Sequence, residues 1–160
     1  MGAQGKHCFA RLLLFQYPLN EVAELTIILV VISIVLIGLD QLFKYLAVIY
    51  VKPVGYMDFI PNFMDLRYWE NTGAAFSMLK GMQGLLVVVT GIALLVVAYL
   101  LFVRFPRNFQ TKKLEVISLL LIFSGGVGNL IDRVLNGYVV DYLNFTFMDF
   151  AVFNFADVLV

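Results

Sequence analysis

The sequence predicts a membrane all-α protein with three complete spans, the start of a fourth, and a small β-containing segment outside the membrane. Three observations carry that prediction. Hydrophobic residues make up 62% of the chain and charged residues 14%, with a mean hydropathy of +0.93, far from the averages of soluble domains. The apolar residues gather in uncharged blocks at positions 25–39, 81–103 and 116–131. The cations that flank these blocks are unequally shared between their two ends.

Taken in chain order, residues 1–24 form a mixed leader with one proline and no sustained periodicity, and no function is assigned to them. A helix needs about 20 residues to cross a hydrocarbon layer roughly 30 Å thick. The second block reaches that length alone, giving a span at about 81–104. The first does so only by running through Asp40, Gln41 and Lys44, giving about 25–51, and the third by ending at Asp132, giving about 114–132. Ionisable residues carried into a membrane are costly and so become functional candidates. Between the first two spans, "KPVGYMDFIPNFMDLR" mixes prolines with alternating aromatic and polar residues, and "LRYWEN" reads as a short strand. Trp69, Tyr56, Tyr68 and Phe59 fit an interfacial aromatic belt better than a ligand cage. A fourth helix begins at about 156, so the whole of 1–160 is a single membrane domain.

Lys6, Arg11, Arg104, Arg107, Lys112 and Lys113 flank one set of helix ends, whereas Lys52, Arg67, Lys80 and Arg133 share the other with most of the acids. The cation excess places the N-terminus and the "RFPRNFQTKK" loop in the cytoplasm, with residues 52–80 and 133–155 outside.

Several chemistries are excluded. The net charge is zero, so no basic surface points to nucleic acid. Cys8 and His7 are the only residues of their kinds, which rules out an internal disulfide framework and a Cys/His zinc site. No metal or cofactor is implied. Lys6 spoils the myristoylation pattern of the opening Met-Gly, and "NFT" at 144–146 is too loose a sequon to carry weight. "SGGVGNLIDR" lacks the preceding strand and third glycine of a dinucleotide loop. Its Ser124 and Gly128 instead suggest a small-residue face for helix packing.

Four groups of residues are candidates for chemistry. Asp40 and Lys44 stand four apart with the acid first, the favourable helical orientation; a self-neutralising structural pair is preferred to a catalytic one. Asn71, beside Glu70, precedes the small residues Gly73, Ala74, Ala75 and Ser77, which permit close approach to the second span. Asn129, Asp132 and Arg133 fall near one face at the outer end of the third helix. Asp141 and Asp157 lie on the same side of the membrane. Two carboxylates that share a proton can act as an acid/base pair, although two unrelated interfacial acids remain the alternative. Asp157, at a helix start, would be the base and Asp141 the proton donor, with the pair titrating as a unit.

"DQLFK", "ENTGAAFS", "GGVGNLIDR", "YVVDY" and "FNFAD" together resemble the ordered motif set of bacterial lipoprotein signal peptidase, or signal peptidase II, over residues 40–157. The resemblance implies a four-helix transmembrane bundle acting as an inner-membrane aspartic endopeptidase. Such an enzyme removes the signal peptide from prolipoproteins just before the diacylglyceryl-modified cysteine. It needs no cofactor, works as a monomer on lipidated precursors among membrane lipids, and has its active site at the outer face. By the same resemblance Asp141 and Asp157 are catalytic, and Asp40, Lys44, Asn71, Asn129, Asp132, Arg133 and Asn154 support the site or bind substrate. Residues 52–69 correspond to its outer interfacial sheet.

Two departures stand out. The leader is longer than expected, which suggests an upstream start. The fourth helix is missing beyond Val160, which would leave Asp157 on a frayed terminus and the chain as given inactive. The competing class is a small multi-pass transport or assembly subunit with functional intramembrane carboxylates, but no inverted repeat is visible. Another intramembrane aspartyl protease would want a GxGD motif, and "GYVVD" is one residue too long.

Overall fold

A computed structural model describes residues 19–73 and 82–160. The expectations for Lys6, His7, Cys8, Arg11, Ala74, Ala75, Ser77 and Lys80 lie outside the described residues. Helix α1 covers Leu19–Leu46 and passes into a π-helical turn at Ala47–Val51. A hairpin of β1, Tyr56–Ile60, and β2, Met64–Asn71, follows. Helix α2 covers Gln83–Tyr99 and also ends in a π turn, Leu100–Arg104, before a 3-10 segment at Pro106–Thr111. Helix α3 is Lys113–Asn136, strand β3 is Val139–Phe145 and helix α4 is Phe155–Leu159.

Among the described residues three helices are long and apolar enough to cross a membrane: Leu19–Val51, Gln83–Arg104 and Lys113–Asn136. The first begins six residues before the uncharged block at Leu25. Its opening turn carries Glu21, an acid that the helix dipole favours at that end. The third runs past Asp132 to Asn136, where Gly137 adopts φ of 75° and its N–H returns to the Arg133 carbonyl. That left-handed cap suits glycine because no Cβ is present to clash.

Lipid offers little hydrophobic incentive for helices to associate, so close packing must hold them. Helix α3 is the centre of the bundle and touches α1, α2 and α4. Its glycines make this possible. A Cβ at Gly125 would strike the Ala156 carbonyl, one at Gly128 would strike the Asp40 carboxylate, and one at Gly126 would strike Leu94 of α2. The small-residue face thus runs through Gly125 and Gly128, whereas buried Ser124 satisfies its hydroxyl on the Leu120 carbonyl. Toward the other end of the bundle, Leu29, Leu101, Val116 and Leu120 form an apolar cluster, extended by the edge-to-face pair Phe102–Phe123.

The sheet has the order β1-β2-β3 and is antiparallel throughout. Strand β3 extends the interfacial sheet beyond residues 52–69, and its outer edge is bridged by Phe153 facing Leu143. Opposite β3, β2 carries an irregularity between Leu66 and Trp69, after which Trp69 faces Asp141; an extra residue of this kind re-aims neighbouring side chains. At the β1–β2 turn Asn62 has φ of 59°, a conformation asparagine tolerates better than most residues. Next to it Phe63, Phe145, Phe147, Phe150 and Phe153 form a ring cluster. Trp69, Tyr56 and Phe59 are exposed, as an interfacial belt requires. The sheet is fixed to the bundle where Ala47 and Val51 of the π turn meet Val140 and Tyr142.

Gly128→Ala should lower the thermal unfolding temperature in detergent, at a cost of about 1–3 kcal/mol for overpacking. Gly38→Ala, with nothing within contact of the added methyl, should be neutral or slightly stabilising.

Candidate active site

The ends of α1 and α3 that adjoin the sheet bring a lysine and two acids into a space that excludes solvent. The Lys44 ammonium lies 2.9 Å from Asp40 Oδ2 and 3.2 Å from Asp132 Oδ2, and donates to Asn129 Oδ1 at 2.9 Å. Its three protons therefore meet three acceptors. Asp40 and Lys44 are one helical turn apart, so the pair follows from spacing; the third helix adds the other two partners. Asp40, Lys44 and Asp132 are all almost fully buried. Gln41 closes the group by donating to Asp40 Oδ2, Asp132 Oδ1 and the Gly128 carbonyl at 3.1–3.3 Å.

The two acids also hold backbone N–H groups of neighbouring segments, Asp40 through its second oxygen and Asp132 through the oxygen that meets Lys44. Asp40 Oδ1 accepts from the Ala156 N–H at 3.0 Å, which anchors the first turn of α4. Asp132 Oδ2 accepts from the Val140 N–H at 3.0 Å, which anchors β3. Each contact falls one residue before an aspartate of interest. Asp141 is the neighbour of Val140, and Asp157 the neighbour of Ala156.

Asn154 joins those aspartates. Its side-chain nitrogen donates to Asp141 Oδ1 at 2.6 Å and to Asn129 Oδ1 at 3.1 Å. Its side-chain oxygen accepts from the Asp157 N–H at 3.0 Å, while its own N–H donates to Asp157 Oδ2 at 3.0 Å. This reciprocal arrangement is a capping box, which starts α4 and fixes Asp157 at once. The second oxygen of Asp157 accepts from Asn129 Nδ2 at 2.8 Å, and the second oxygen of Asp141 from Asn71 Nδ2 at 2.9 Å. Three asparagines thus hold two carboxylates.

The surroundings of the two acids differ. Asp141 is 1% exposed and Asp157 is exposed. Burial pushes the Asp141 carboxyl up to about 7, with the nearby Asp157 charge adding to the rise and the amides of Asn71 and Asn154 opposing it. Arg133 stands beside the pair. Its guanidinium donates to the Asn129 and Gly73 carbonyls, each at 3.4 Å, and its buried Nε has no partner. The Gly73 N–H in turn donates to Asn71 Oδ1 at 3.0 Å, so Arg133 and Asn71 both grip the end of β2.

Asp40, Lys44, Asn71, Asn129, Asp132, Arg133, Asp141, Asn154 and Asp157 are therefore linked at one end of the bundle. Gln41 joins them without having been singled out, although it stands next to Asp40 and within the first span. A second polar contact, Lys52 with Tyr68 and Glu70, is exposed and lies on the sheet surface. No group of three or more His, Cys, Asp or Glu side chains is arranged to hold a metal among the described residues.

Three membrane-length helices capped by a small sheet, with acids, amides and a buried lysine at their shared end, define a polytopic membrane protein with one polar centre. The family model described as "Signal peptidase (SPase) II" matches residues 32–160. A lipoprotein signal peptidase of Enterococcus faecalis is 40% identical over 134 residues, covering 84% of this chain and 81% of that protein. One from Streptococcus agalactiae is 42% identical over 131 residues, covering 82% of each. A solved structure described as a bacterial membrane enzyme at 1.9 Å resolution has a TM-score of 0.70 and 30% identity, covering 82% of this chain and 83% of that one. The chain belongs to the signal peptidase II family, and is thus a membrane-spanning protease.

Lys44→Met should destabilise the protein by about 3–5 kcal/mol, because it strands two buried carboxylates. Thermal unfolding in detergent, compared with exposed Lys52→Met on the sheet surface, measures the difference.

Proposed function

We propose that this chain is an aspartic endopeptidase of the bacterial inner membrane. It removes the signal peptide from prolipoproteins by hydrolysing the peptide bond before the diacylglyceryl-modified cysteine. The observation that carries this reading is the bridge of Asn154 between Asp141 and Asp157, one acid buried and the other open to solvent.

Asp157 takes a proton from the attacking water. Asp141 holds a proton up to about pH 7 and gives it first to the developing oxyanion. As the intermediate collapses, Asp157 gives the proton it took from water to the departing amine and Asp141 recovers a proton from the diol hydroxyl, so both acids return to their starting forms. Each proton transfer contributes roughly 10²- to 10⁴-fold in rate. Asn71, Asn129 and Asn154 orient the carboxylates, and the Lys44 cluster holds the strand and helix that bear them. The excess of Lys and Arg at the opposite ends of the spans supports an outer-face position for this centre, where a lipidated cysteine is kept at membrane level and diffusion in the bilayer delivers it.

Asp141→Asn or Asp157→Asn should each reduce cleavage of a lipidated precursor by 10²-fold or more while the protein stays in the membrane; substantial residual cleavage would refute the dyad. Asp132→Asn should lower both activity and thermal stability, because it weakens the anchor on Val140. The sign of the pH dependence follows from burial. An acid whose pKa is raised keeps its proton below that value, so kcat should decline as pH rises through about 7 and Asp141 loses the proton it donates. A pH–kcat profile in proteoliposomes measures this directly.

A further inference from the structure

The peptide group between Thr72 and Gly73, just past the end of β2, is held from two sides. Its carbonyl accepts from the side-chain nitrogen of Gln83, and its N–H donates to Asn71 Oδ1 at 3.0 Å. The nitrogen of that same asparagine amide donates to Asp141 Oδ2 at 2.9 Å. Three amide groups therefore stand in a row, each passing a hydrogen bond on to the next, and the row ends on a buried acid.

An amide that accepts a hydrogen bond becomes a better donor, because charge is drawn to its oxygen and its N–H is left more positive. Chains of such bonds strengthen one another, and more so away from water. Gln83 is the first donor of this chain. It opens α2, whose remaining side chains are apolar apart from Thr90 and Tyr99. Stability alone does not account for it, since Gln83 Oε1 is buried with no partner among the described residues, and an unpaired buried acceptor is costly. A methionine would fill similar space without that oxygen; what it would lack is the N–H.

The charged groups around Asp141 are Asp157 of α4, Lys44 of α1 and Arg133 of α3, with Asn154 as its other hydrogen-bond partner. From β2, Trp69 and Asn71 bring no charge, and Glu70 is paired with Lys52 on the sheet surface. The hydrogen bond of Gln83 goes to none of these but to the Thr72 carbonyl. Resting on the peptidase reading above, we propose that Gln83 is a positioning residue for that reaction: its N–H, relayed through the Thr72–Gly73 peptide group and the Asn71 amide, strengthens the hydrogen bond that holds the Asp141 carboxyl.

The sign of the effect follows. A hydrogen bond donated to a carboxylate favours its charged form. Without the first donor Asn71 holds Asp141 less strongly, so the acid keeps its proton to higher pH and gives it up less readily to the oxyanion. The alkaline limb of kcat should move up, and the plateau below it should fall.

The experiment records pH–kcat profiles for the full chain in proteoliposomes with a lipidated precursor, comparing wild type, Gln83→Met, Asn71→Ala and the double variant. From a wild-type limb near 7, Gln83→Met should raise the limb by roughly 0.3–1 pH unit and lower the plateau about three- to tenfold, with KM changing less. Asn71→Ala should shift the limb in the same direction, and Gln83→Met should add no further shift in that background. The unfolding temperature of Gln83→Met in detergent should stay close to wild type, because the unpaired Gln83 oxygen is exchanged for an unpaired Thr72 carbonyl. A limb that stays at the wild-type pH would overturn the proposal, as would a shift fully additive with that of Asn71→Ala. A Gln83→Met protein that fails to fold would assign the residue to structure and overturn it equally. A wild type that cleaves nothing would instead overturn the peptidase reading, a result seen before any variant is compared.

Discussion

The ammonium of Lys44 is the contact on which the rest of the site depends. Alone, a lysine or an aspartate at this depth would be strongly disfavoured. Together, Lys44, Asp40 and Asp132 satisfy one another, and the two acids also accept from backbone N–H groups of α4 and β3. One charge cluster therefore sets the position of two separate segments relative to α1 and α3. Buried ion clusters often add little net stability compared with well-packed apolar groups. Here the arrangement gives registration of β3 and α4 against the bundle, to which Asn129 adds its contacts with Asn154 and Asp157.

The same organisation explains how two residues of one chemical type come to differ. Asp141 lies in the middle of a strand covered on both faces, and Asp157 is the exposed residue in the first turn of a helix. Environment, not residue identity, separates acid from base in paired carboxylates. Three asparagines are well suited to the task, since an amide can donate to a carboxylate and accept from a neighbour through the same side chain. Asn129 does this between Lys44 and Asp157, and Asn154 between Asp141 and the α4 backbone.

Much of the architecture was legible because membranes impose simple rules on sequence. Uncharged blocks marked the spans, and the four-residue spacing of Asp40 and Lys44 marked their pair. Strand β3 was not legible. Its residues "VVDYLNF" are nearly all buried, so the alternation that reveals a half-exposed strand is absent. The importance of Gly125 was likewise hidden, since one glycine in "SGGVGN" looks like another until α4 is seen lying against it. The partners of Asp132 and Asp40 are backbone N–H groups, which leave no trace in residue type. The grouping of Asn129 and Asn154 with the aspartates came through family resemblance; amides at those spacings carry no signal of their own.

The π turn that ends α1 has a consequence for how one helix can serve two neighbours. Asp40 and Lys44 look into the bundle, whereas Ala47 and Val51, a wider turn further on, lie under the sheet. A π turn contains one residue more than an α turn and so resets the direction of every side chain after it. The membrane-length helix and the packing surface for the sheet are thus phased independently along a single continuous rod. Substitutions can therefore reshape the sheet above this turn without rotating the charge cluster below it.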